Sequence, residues 1–299
     1  RFLRPPPGGA NDFRHGPDHA GAPLPHVGGA LSLRFRILFT QEALAMRPTL
    51  PAVAVLAVTL AACTGEAPPP QSPADAHATA GRDQAQADVA FEALSRRYLD
   101  EALALSPVSA TQIGDHRFDH EIDDLSAAGR QKSGDFNRRF LAELDAIDLA
   151  SLSREHQVDA RILRNQLEYA LWNDDTFQNW AWDPQVYSGL AGGAIYNLMA
   201  REFAPMPERL KSATARMEKI PALLAQARAN LDPARVPKTH AETVARQNKG
   251  VLALIDTFIL PNAGQLQGED RTRLDAAVDT LRKAVEEHQQ WLDGTLVPN

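Results

Sequence analysis

The stretch "RLKSATARMEKIPALLAQARANLDP" (209–233) decides the fold class of this chain. Its apolar residues return every three or four positions, at Leu210, Ala213, Met217, Ile220, Leu224, Ala227 and Leu231. This spacing is the period of one face of an α-helix. Pro221 lies inside the pattern and removes a backbone donor, so we expect a kinked or divided helix there. The stretch therefore predicts a long amphipathic helix.

Helical periodicity recurs on both sides of this stretch. Further helices are predicted at about 84–105, 127–147, from 153, from 240 to 260, and 268–292. The apolar face predicted for the helix from 153 consists of Val158, Ile162, Gln166, Tyr169 and Trp172. No segment alternates with period two between turn signals, and no repeat of fixed length is present. We predict an all-α fold, an elongated assembly of long amphipathic helices.

A short apolar segment, "MRPTLPAVAVLAVTLAACTG" (46–65), precedes the helical region. Its apolar part, 50–60, is shorter than the roughly 20 residues of a membrane-spanning helix. A methionine, one Arg, an apolar core and small residues follow one another as in a secretory signal peptide. The end, "LAAC" (60–63), resembles the bacterial lipobox, in which Cys63 is lipidated and becomes the mature N-terminus. The alternative is a buried segment with an incidental cysteine, since short apolar runs have no decisive period.

These features divide the chain into four predicted parts. Residues 1–45 contain no methionine and mix Pro, Gly and His without a hydrophobic period. They are predicted to be a disordered, non-native upstream extension, a native disordered extension being the alternative. Residues 46–62 form the predicted signal peptide, and residues 63–83, rich in Pro, Ala, Ser and Asp, a disordered tether. Residues 84–299 form the predicted helical domain.

The predicted export signal and the charge define the expected location and partners. Lipidated Cys63 would attach the exported protein to a membrane, and Thr64 after it resembles the outer-membrane sorting pattern, with the protein facing the periplasm. The chain has 31 basic and 38 acidic residues, and residues 1–62 contribute six and three of these. The part from Cys63 onward therefore carries 25 basic and 35 acidic residues, a net charge of −10. No basic patch for nucleic acid or for electrostatic binding to anionic lipid is expected.

The densest polar cluster is "GDHRFDHEIDDLS" (114–126), which contains His116 and His120. Their spacing matches two histidines on one helix face, but the Glu of a His-Glu-x-x-His zinc motif does not follow His116. We favour an acidic loop whose Asp and Ser side chains cap the next helix, and keep His116 and His120 as weak metal candidates. No nucleophile motif of a hydrolase and no phosphate loop is present. We therefore assign no catalytic residue and no cofactor to this chain.

Three separated stretches resemble a bacterial family known as domain of unknown function 885. They are "SPVSATQIGDHRFDHEIDDLS" (106–126), "WDPQVY" (182–187) and the stretch 209–233 quoted above. The resemblance covers about residues 91–299, and the order and spacing of the stretches make it specific. Members of the family resemble zinc-dependent peptidases of a long, mostly helical kind, and many are exported or lipid-anchored.

The resemblance implies a zinc-dependent hydrolase acting on a peptide or a small amide or ester, whose zinc-binding signature lies downstream of the matched region. None of the family's metal or catalytic residues can be placed on this chain. The chain is then expected to be the N-terminal helical half, truncated before the catalytic region, with a missing C-terminal half as its partner. Trp182, Pro184 and Tyr187 are candidates for lining the mouth of the substrate cleft, although packing between helices is an equal alternative for them.

Two other functions stay open at this point. The chain could be a non-enzymatic helical lipoprotein that serves the cell envelope as a binding or scaffold module. A solute- or peptide-binding protein is a third hypothesis, which the lack of an α/β pattern disfavours.

The lipobox prediction is tested by labelling expressing cells with a clickable fatty acid. We expect label on the parent protein and none on the Cys63→Ser variant, because the thiol is the site of attachment. Label that persists on Cys63→Ser protein contradicts the lipobox assignment.

Overall fold

The computed structural model describes the backbone of residues 73–299 and the side chains of residues 81–299. The predicted extension 1–45, the predicted signal peptide 46–62 and Cys63 lie outside the described residues. All regular secondary structure in the described part of the chain is helical, with no strand. The predicted all-α fold is confirmed.

Ten α-helices follow one another along the described chain. They are α1 (Pro73–Leu105), α2 (Pro107–Ile113), α3 (Ala127–Asp145), α4 (Arg154–Trp172), α5 (Asn179–Trp182), α6 (Gln185–Met199), α7 (Met206–Asn230), α8 (Lys238–Gln247), α9 (Gly250–Leu254) and α10 (Gly268–Trp291). Three π-helical turns extend α4, α9 and α10, at Asn173–Phe177, Ile255–Ile259 and Leu292–Leu296. No helix among the described residues is both long and apolar enough to cross a membrane.

Three helices differ from those expected in where they begin or divide. Helix α1 begins at Pro73 rather than near residue 84, because Pro is compatible with the first helical turn and the following segment is rich in Ala. Helix α7 runs through Pro221 without dividing. The helix expected from 240 to 260 is divided after Gln247, where the buried Asn248 side chain donates to the Val285 carbonyl at 3.0 Å and thereby ties this break to α10.

Two larger hydrophobic clusters form the core of the described residues. One joins α6, α7, α9 and α10, and includes Leu210, Met217 and Ile220 of α7 with Leu274 and Leu281 of α10. The other joins α1, α3 and α4 through side chains that include Phe91, Leu94, Phe136, Phe140 and Leu167. The apolar face predicted for α7 is the buried one.

The apolar face predicted for α4 is wrong. The structure buries Ala160, Leu163 and Leu167, which pack against the aromatic rings of α1 and α3. The predicted face is exposed instead, at 41% for Val158, 43% for Ile162, 51% for Tyr169 and 46% for Trp172. Helix α4 carries apolar residues on two roughly opposite sides, and periodicity alone does not choose between them.

A buried cation, Arg216 of α7, connects four segments of the fold. Its guanidinium donates to the carbonyls of Pro107 (3.0 Å), Glu121 (2.8 Å) and Ala194 (3.0 Å), and to the hydroxyl of Thr111 (2.7 Å). Burial lowers its pKa to about 10, while the carboxylates of Asp119, Asp123 and Glu121 raise it. Arg216 therefore stays protonated at neutral pH and fixes α2, α6 and the loop before α3 to α7.

Replacing Arg216 is expected to destabilise the fold strongly. Arg216→Met leaves buried carbonyls without donors and removes the cation near Asp119 and Asp123, so we expect a loss of about 3–5 kcal/mol in the free energy of unfolding. Arg216→Lys, which keeps the charge but not the planar fork, should lose less. Urea unfolding measures both.

The matched control for Arg216 is Arg273→Ala, which removes an exposed ion pair with Glu218 (2.6 Å). It should cost less than about 1 kcal/mol. Equal losses for Arg216→Met and Arg273→Ala would show that the buried guanidinium has no special role.

His288 of α10 is a buried neutral histidine. It is 4% exposed, stacks on Trp291 and borders a small cavity that Ser188, Gln247 and Asn248 also line. Burial and, to a smaller extent, the positive charge of Arg228, 3.4 Å from its Nδ1, together lower its pKa to about 4. The folded state therefore resists protonation of His288 more than the unfolded chain does.

The contribution of His288 to stability is expected to be full above about pH 6.5 and to fall as the pH drops toward 4. The unfolded chain binds the proton first, so the loss is about 1.4 kcal/mol per pH unit and about 3 kcal/mol in total. Urea unfolding from pH 7.5 to 4 measures it as the difference between the parent and His288→Gln. The exposed His120→Gln should keep the parent slope, and an unchanged slope in His288→Gln contradicts the assignment.

Candidate functional site

The segment after α4 has an unusual backbone. Helix α4 ends in the π-helical turn Asn173–Phe177, which leads directly to Gln178. Gln178 has φ 53° and ψ 48°, and within the described residues it is the only non-glycine residue with a positive φ. Its side-chain carbonyl accepts a hydrogen bond from Arg235 at 2.9 Å. π-Helical turns and left-handed non-glycine residues are enriched at functional sites, which directs attention to this segment.

Four rings meet here, and we call Trp172, Phe177, Trp182 and His240 the aromatic corner. Trp172 and Phe177 stack with centroids 4.9 Å apart and planes at 14°. Phe177 meets Trp182 edge to face at 5.1 Å, and Trp182 lies 5.7 Å from His240. Trp172 and Phe177 are exposed, while Trp182 is half-buried. The corner thus offers partly accessible apolar ring surface for a ligand.

A polar group borders the aromatic corner on the side of α6. His240 Nδ1 lies 3.2 Å from Asp183 Oδ1 and 3.4 Å from Gln185 Nε2. The backbone N–H of Gln185 also donates to Asp183 Oδ1 at 3.1 Å, which holds the carboxylate in place. With Nδ1–H donating to Asp183, the Nε2 atom of His240 is left as a hydrogen-bond acceptor. Apolar rings and an oriented imidazole are therefore adjacent.

The aromatic corner is held from the core side by Trp180 and Arg130. The Arg130 guanidinium lies 3.8 Å from the centroid of the Trp180 ring and donates to the Leu125 carbonyl at 2.9 Å. Trp180 Nε1 donates to the Asp174 carbonyl at 3.2 Å, across the π-helical turn. These contacts connect the turn to α3 and to the loop that Arg216 fixes.

The three predicted cleft residues have different environments. Trp182 belongs to the aromatic corner, and its Nε1 donates to the Phe177 carbonyl at 3.0 Å. Pro184 is buried, and Tyr187 is 1% exposed. The Tyr187 hydroxyl donates to the Trp180 carbonyl (2.6 Å) and accepts from Asn230 (3.0 Å), and burial raises its pKa. The Tyr187 hydroxyl therefore holds the backbone two residues before Trp182, and a substrate-lining role for the three residues stays a prediction.

The histidines kept as weak metal candidates each lie beside one carboxylate. His116 Nδ1 is 3.0 Å from Asp119 Oδ2, and its ring stacks on Phe203 with centroids 3.6 Å apart. His120 Nε2 is 3.5 Å from Glu121 Oε1 at the surface. Within the described residues, no group of three or more His, Cys, Asp or Glu side chains is arranged to hold a metal ion.

The loop that contains these histidines caps and anchors helices. Ser126 Oγ accepts from the Gly129 N–H at the start of α3, as the capping interpretation predicts. Asp123 accepts from the Val108 N–H at 3.0 Å, and its burial raises the pKa of its carboxyl group. Asp119 accepts from the Thr111 hydroxyl at 2.6 Å. The described contacts of this loop are therefore structural.

Sequence reasoning missed His240, Asp183 and Phe177 as neighbours of Trp182. His240 has no partner at ligand spacing in the sequence, and Asp183, 57 residues away, becomes its partner only through the fold. The available signal was "FQNWAWDP" (177–184), where three aromatic residues cluster around a predicted loop.

Comparisons with known proteins identify the family. A model of the family described as "Bacterial protein of unknown function (DUF885)" matches residues 107–299. The chain belongs to this DUF885 family. The matched region includes the aromatic corner and Arg216, so the site described here lies within the family's domain. No curated protein gives a significant match.

A solved structure shares the fold of this DUF885 chain. It is titled "The structure of a putative lipoprotein of unknown function from Shewanella oneidensis", is 30% identical in sequence and superposes with a TM-score of 0.65. The match covers 70% of this chain but 38% of the Shewanella chain. The present chain therefore corresponds to well under half of that protein.

Proposed function

We propose that this chain is the N-terminal, cleft-forming helical portion of a lipid-anchored hydrolase of the cell envelope, of the zinc-peptidase type. The observation that carries the proposal is the aromatic corner, which combines exposed rings, the strained Gln178 and the Asp183–His240 pair. The resemblance of the family's members to zinc-dependent peptidases, noted in the sequence analysis, supports it. The expected substrate is a peptide or a small amide or ester.

The proposed lipid anchor is Cys63, within the lipobox-like "LAAC" (60–63). The Shewanella neighbour, titled as a lipoprotein, supports the same assignment for this chain. Stable anchoring requires more than one acyl chain, which bacterial lipoprotein modification provides. Thr64 after the cysteine favours the outer membrane with the protein in the periplasm.

Zinc does not fit the residues described here. A catalytic zinc site needs three protein ligands around an open position. His116 is engaged by Asp119 and Phe203, and no third ligand joins His116 and His120. We therefore derive no catalytic step from this chain and propose that the zinc ligands belong to a part of the protein that it does not include. The greater length of the Shewanella chain is consistent with this division.

The proposed task of the aromatic corner is to bind and orient substrate. Trp182 and Phe177 would pack against an apolar or aromatic group of the substrate, which removes ring surface from water. His240, oriented by Asp183, would accept a hydrogen bond from a substrate N–H through Nε2. Such contacts raise specificity without any reactive group in this part of the chain.

A second candidate function is a non-enzymatic binding module of the envelope. It is favoured by the fact that the rings and the Asp183–His240 pair are complete within this chain. Such a module would bind its ligand at the same corner, but it would need neither zinc nor a further portion of the protein.

The first test uses the gene product with all coding sequence downstream of residue 299. We expect about one zinc per molecule by metal analysis and hydrolysis of a peptide library, while the chain of 299 residues alone shows neither. Trp182→Ala should lower kcat/KM for the best peptide about 10- to 100-fold, because loss of a packed aromatic contact costs about 1–3 kcal/mol.

The matched control is Tyr196→Ala, which removes an exposed ring on α6 that packs on Phe258. It should change kcat/KM less than twofold. If the longer gene product binds no zinc and hydrolyses no peptide, the result contradicts the hydrolase proposal and favours the binding module. If Tyr196→Ala and Trp182→Ala lower kcat/KM equally, the aromatic corner is not part of the substrate cleft.

A further inference from the structure

The exposed side of α4 carries four large apolar side chains on one face, with the polar Asn165 between the second and the third, and we call these four the α4 stripe. It consists of Val158, Ile162, Tyr169 and Trp172. At 100° per residue these four side chains fall within one face of the helix, and at 1.5 Å per residue they span about 21 Å. The opposite side of α4, with Leu163 and Leu167, is already buried in the core. The stripe is therefore not needed for packing within the described fold.

The α4 stripe joins the aromatic corner at its C-terminal end. Tyr169 lies 5.9 Å from Trp172, which stacks on Phe177 at 4.9 Å. Of the ten large hydrophobic side chains that are exposed among the described residues, five belong to this one surface. Scattered exposed hydrophobic residues are ordinary, but their concentration along one helix face and the turn that follows it indicates an interaction surface.

The charges beside the α4 stripe are arranged unevenly. Arg154 and Arg161 lie seven residues apart along one edge, and both are exposed. Neither forms an ion pair with another described residue, whereas the neighbouring Arg164 pairs with Asp145 and Glu168. Glu155 and Asp159 lie toward the other edge. The net negative charge predicts no basic patch for anionic lipid, but locally this edge presents two guanidinium groups without an ion-pair partner, next to aliphatic and aromatic side chains.

We propose that the α4 stripe docks the protein onto the surface of the bilayer that holds its lipid anchor. Aliphatic side chains with Tyr and Trp suit the boundary between acyl chains and headgroups, because an aromatic ring there has one apolar and one polar end. Arg154 and Arg161 complement anionic headgroups, because basic side chains near such a surface are attracted to it. A helix stripe that served a second copy would need no such row of cations.

The contact between α1 and the start of α4 supports this occupant. The Ser153 N–H at the start of α4 donates to Asp88 of α1 at 2.9 Å, so the aliphatic end of the stripe lies beside α1. From Asp88 back to Pro73, α1 is about 22 Å long. The ten residues from Cys63 to Pro73 can span up to about 35 Å when extended. A lipid on Cys63 can therefore reach the membrane on which the stripe rests.

The proposed anchor and the stripe act together. The inference rests on the lipid attachment proposed above, since a tether keeps the local concentration of bilayer high and makes a weak docking surface effective. Docking through the stripe places the aromatic corner at the level of the headgroups. A substrate of the corner would then approach along the membrane surface.

Vesicle partitioning of the full chain with Cys63→Ser tests the stripe without a lipid. The vesicles contain phosphatidylethanolamine with 30% phosphatidylglycerol, and binding is measured by flotation. The triple variant Val158→Ser, Ile162→Ser, Tyr169→Ser should lower the partition coefficient at least tenfold. The matched control, Val89→Ser, Ile113→Ser, Leu260→Ser, changes three exposed side chains elsewhere and should lower it less than twofold.

Two further readouts address the charges and Trp172. The double variant Arg154→Gln, Arg161→Gln should bind the anionic vesicles about 10-fold more weakly, or weaker still, at low salt. Its binding to vesicles of phosphatidylethanolamine and phosphatidylcholine should equal that of the parent. Vesicles should shift the Trp172 emission, obtained as the parent minus Trp172→Phe, to shorter wavelength and protect it from acrylamide.

Several outcomes overturn the proposal. They are partitioning that the stripe variant leaves unchanged, a control variant that loses as much as the stripe variant, and no binding of the parent. If light scattering shows that the parent is a dimer and that the stripe variant is a monomer, the stripe binds a second copy of the chain instead. If Cys63 is not labelled by the fatty acid, the proposed lipid anchor is wrong. If the zinc and peptide assays are negative, the proposed hydrolase is wrong. Neither result changes the vesicle binding of the stripe, so the three failures can be told apart.

Discussion

The Arg216 guanidinium is the interaction on which the positions of the other segments depend. It has no exposed surface, and it donates to backbone carbonyls of α2, α6 and the loop before α3. A cation in the core is tolerable only when its donors are satisfied and nearby negative charge compensates it. Here the backbone carbonyls and the Thr111 hydroxyl accept from the guanidinium, and the carboxylates of Asp119 and Asp123 favour its charged form. The cost of burial makes this geometry selective, since a displaced carbonyl or carboxylate would leave the charge uncompensated.

The aromatic corner depends on this arrangement through a short series of contacts. The loop held by Arg216 continues to Leu125, whose carbonyl accepts from both Arg130 and Asn230. Arg130 lies against Trp180, and Asn230 donates to Tyr187, so both sides of the corner are connected to the loop. The π-helical turn and the left-handed Gln178 are then held by surrounding packing, as a strained backbone must be. Exposed rings on so constrained a backbone are preorganised for binding.

The parts of the fold that the sequence predicts are those set by local periodicity. The faces of α7 and α10 follow directly from the spacing of residues such as Leu210, Met217, Leu274 and Leu281. For α4 the same rule failed, because two apolar stripes satisfy it and only the rings of α1 and α3 select the buried one. Neither the partnership of His240 with Asp183 nor the role of Arg216 could be predicted, since both arise from contacts between residues distant in sequence.

The wrong prediction for the buried face of α4 is informative, because an exposed second apolar stripe is unfavourable in water. Exposed Val, Ile, Tyr and Trp side chains favour aggregation and add nothing to a core that Leu163 and Leu167 already complete. The buried stripe joins helix to helix, whereas the exposed one lies beside uncompensated arginines and close to the helix that leads toward Cys63. A single helix can therefore satisfy two surroundings, a protein interior on one side and a lipid surface on the other. In the docking we propose, the aromatic corner, at the end of the exposed stripe, lies where the fold meets the membrane.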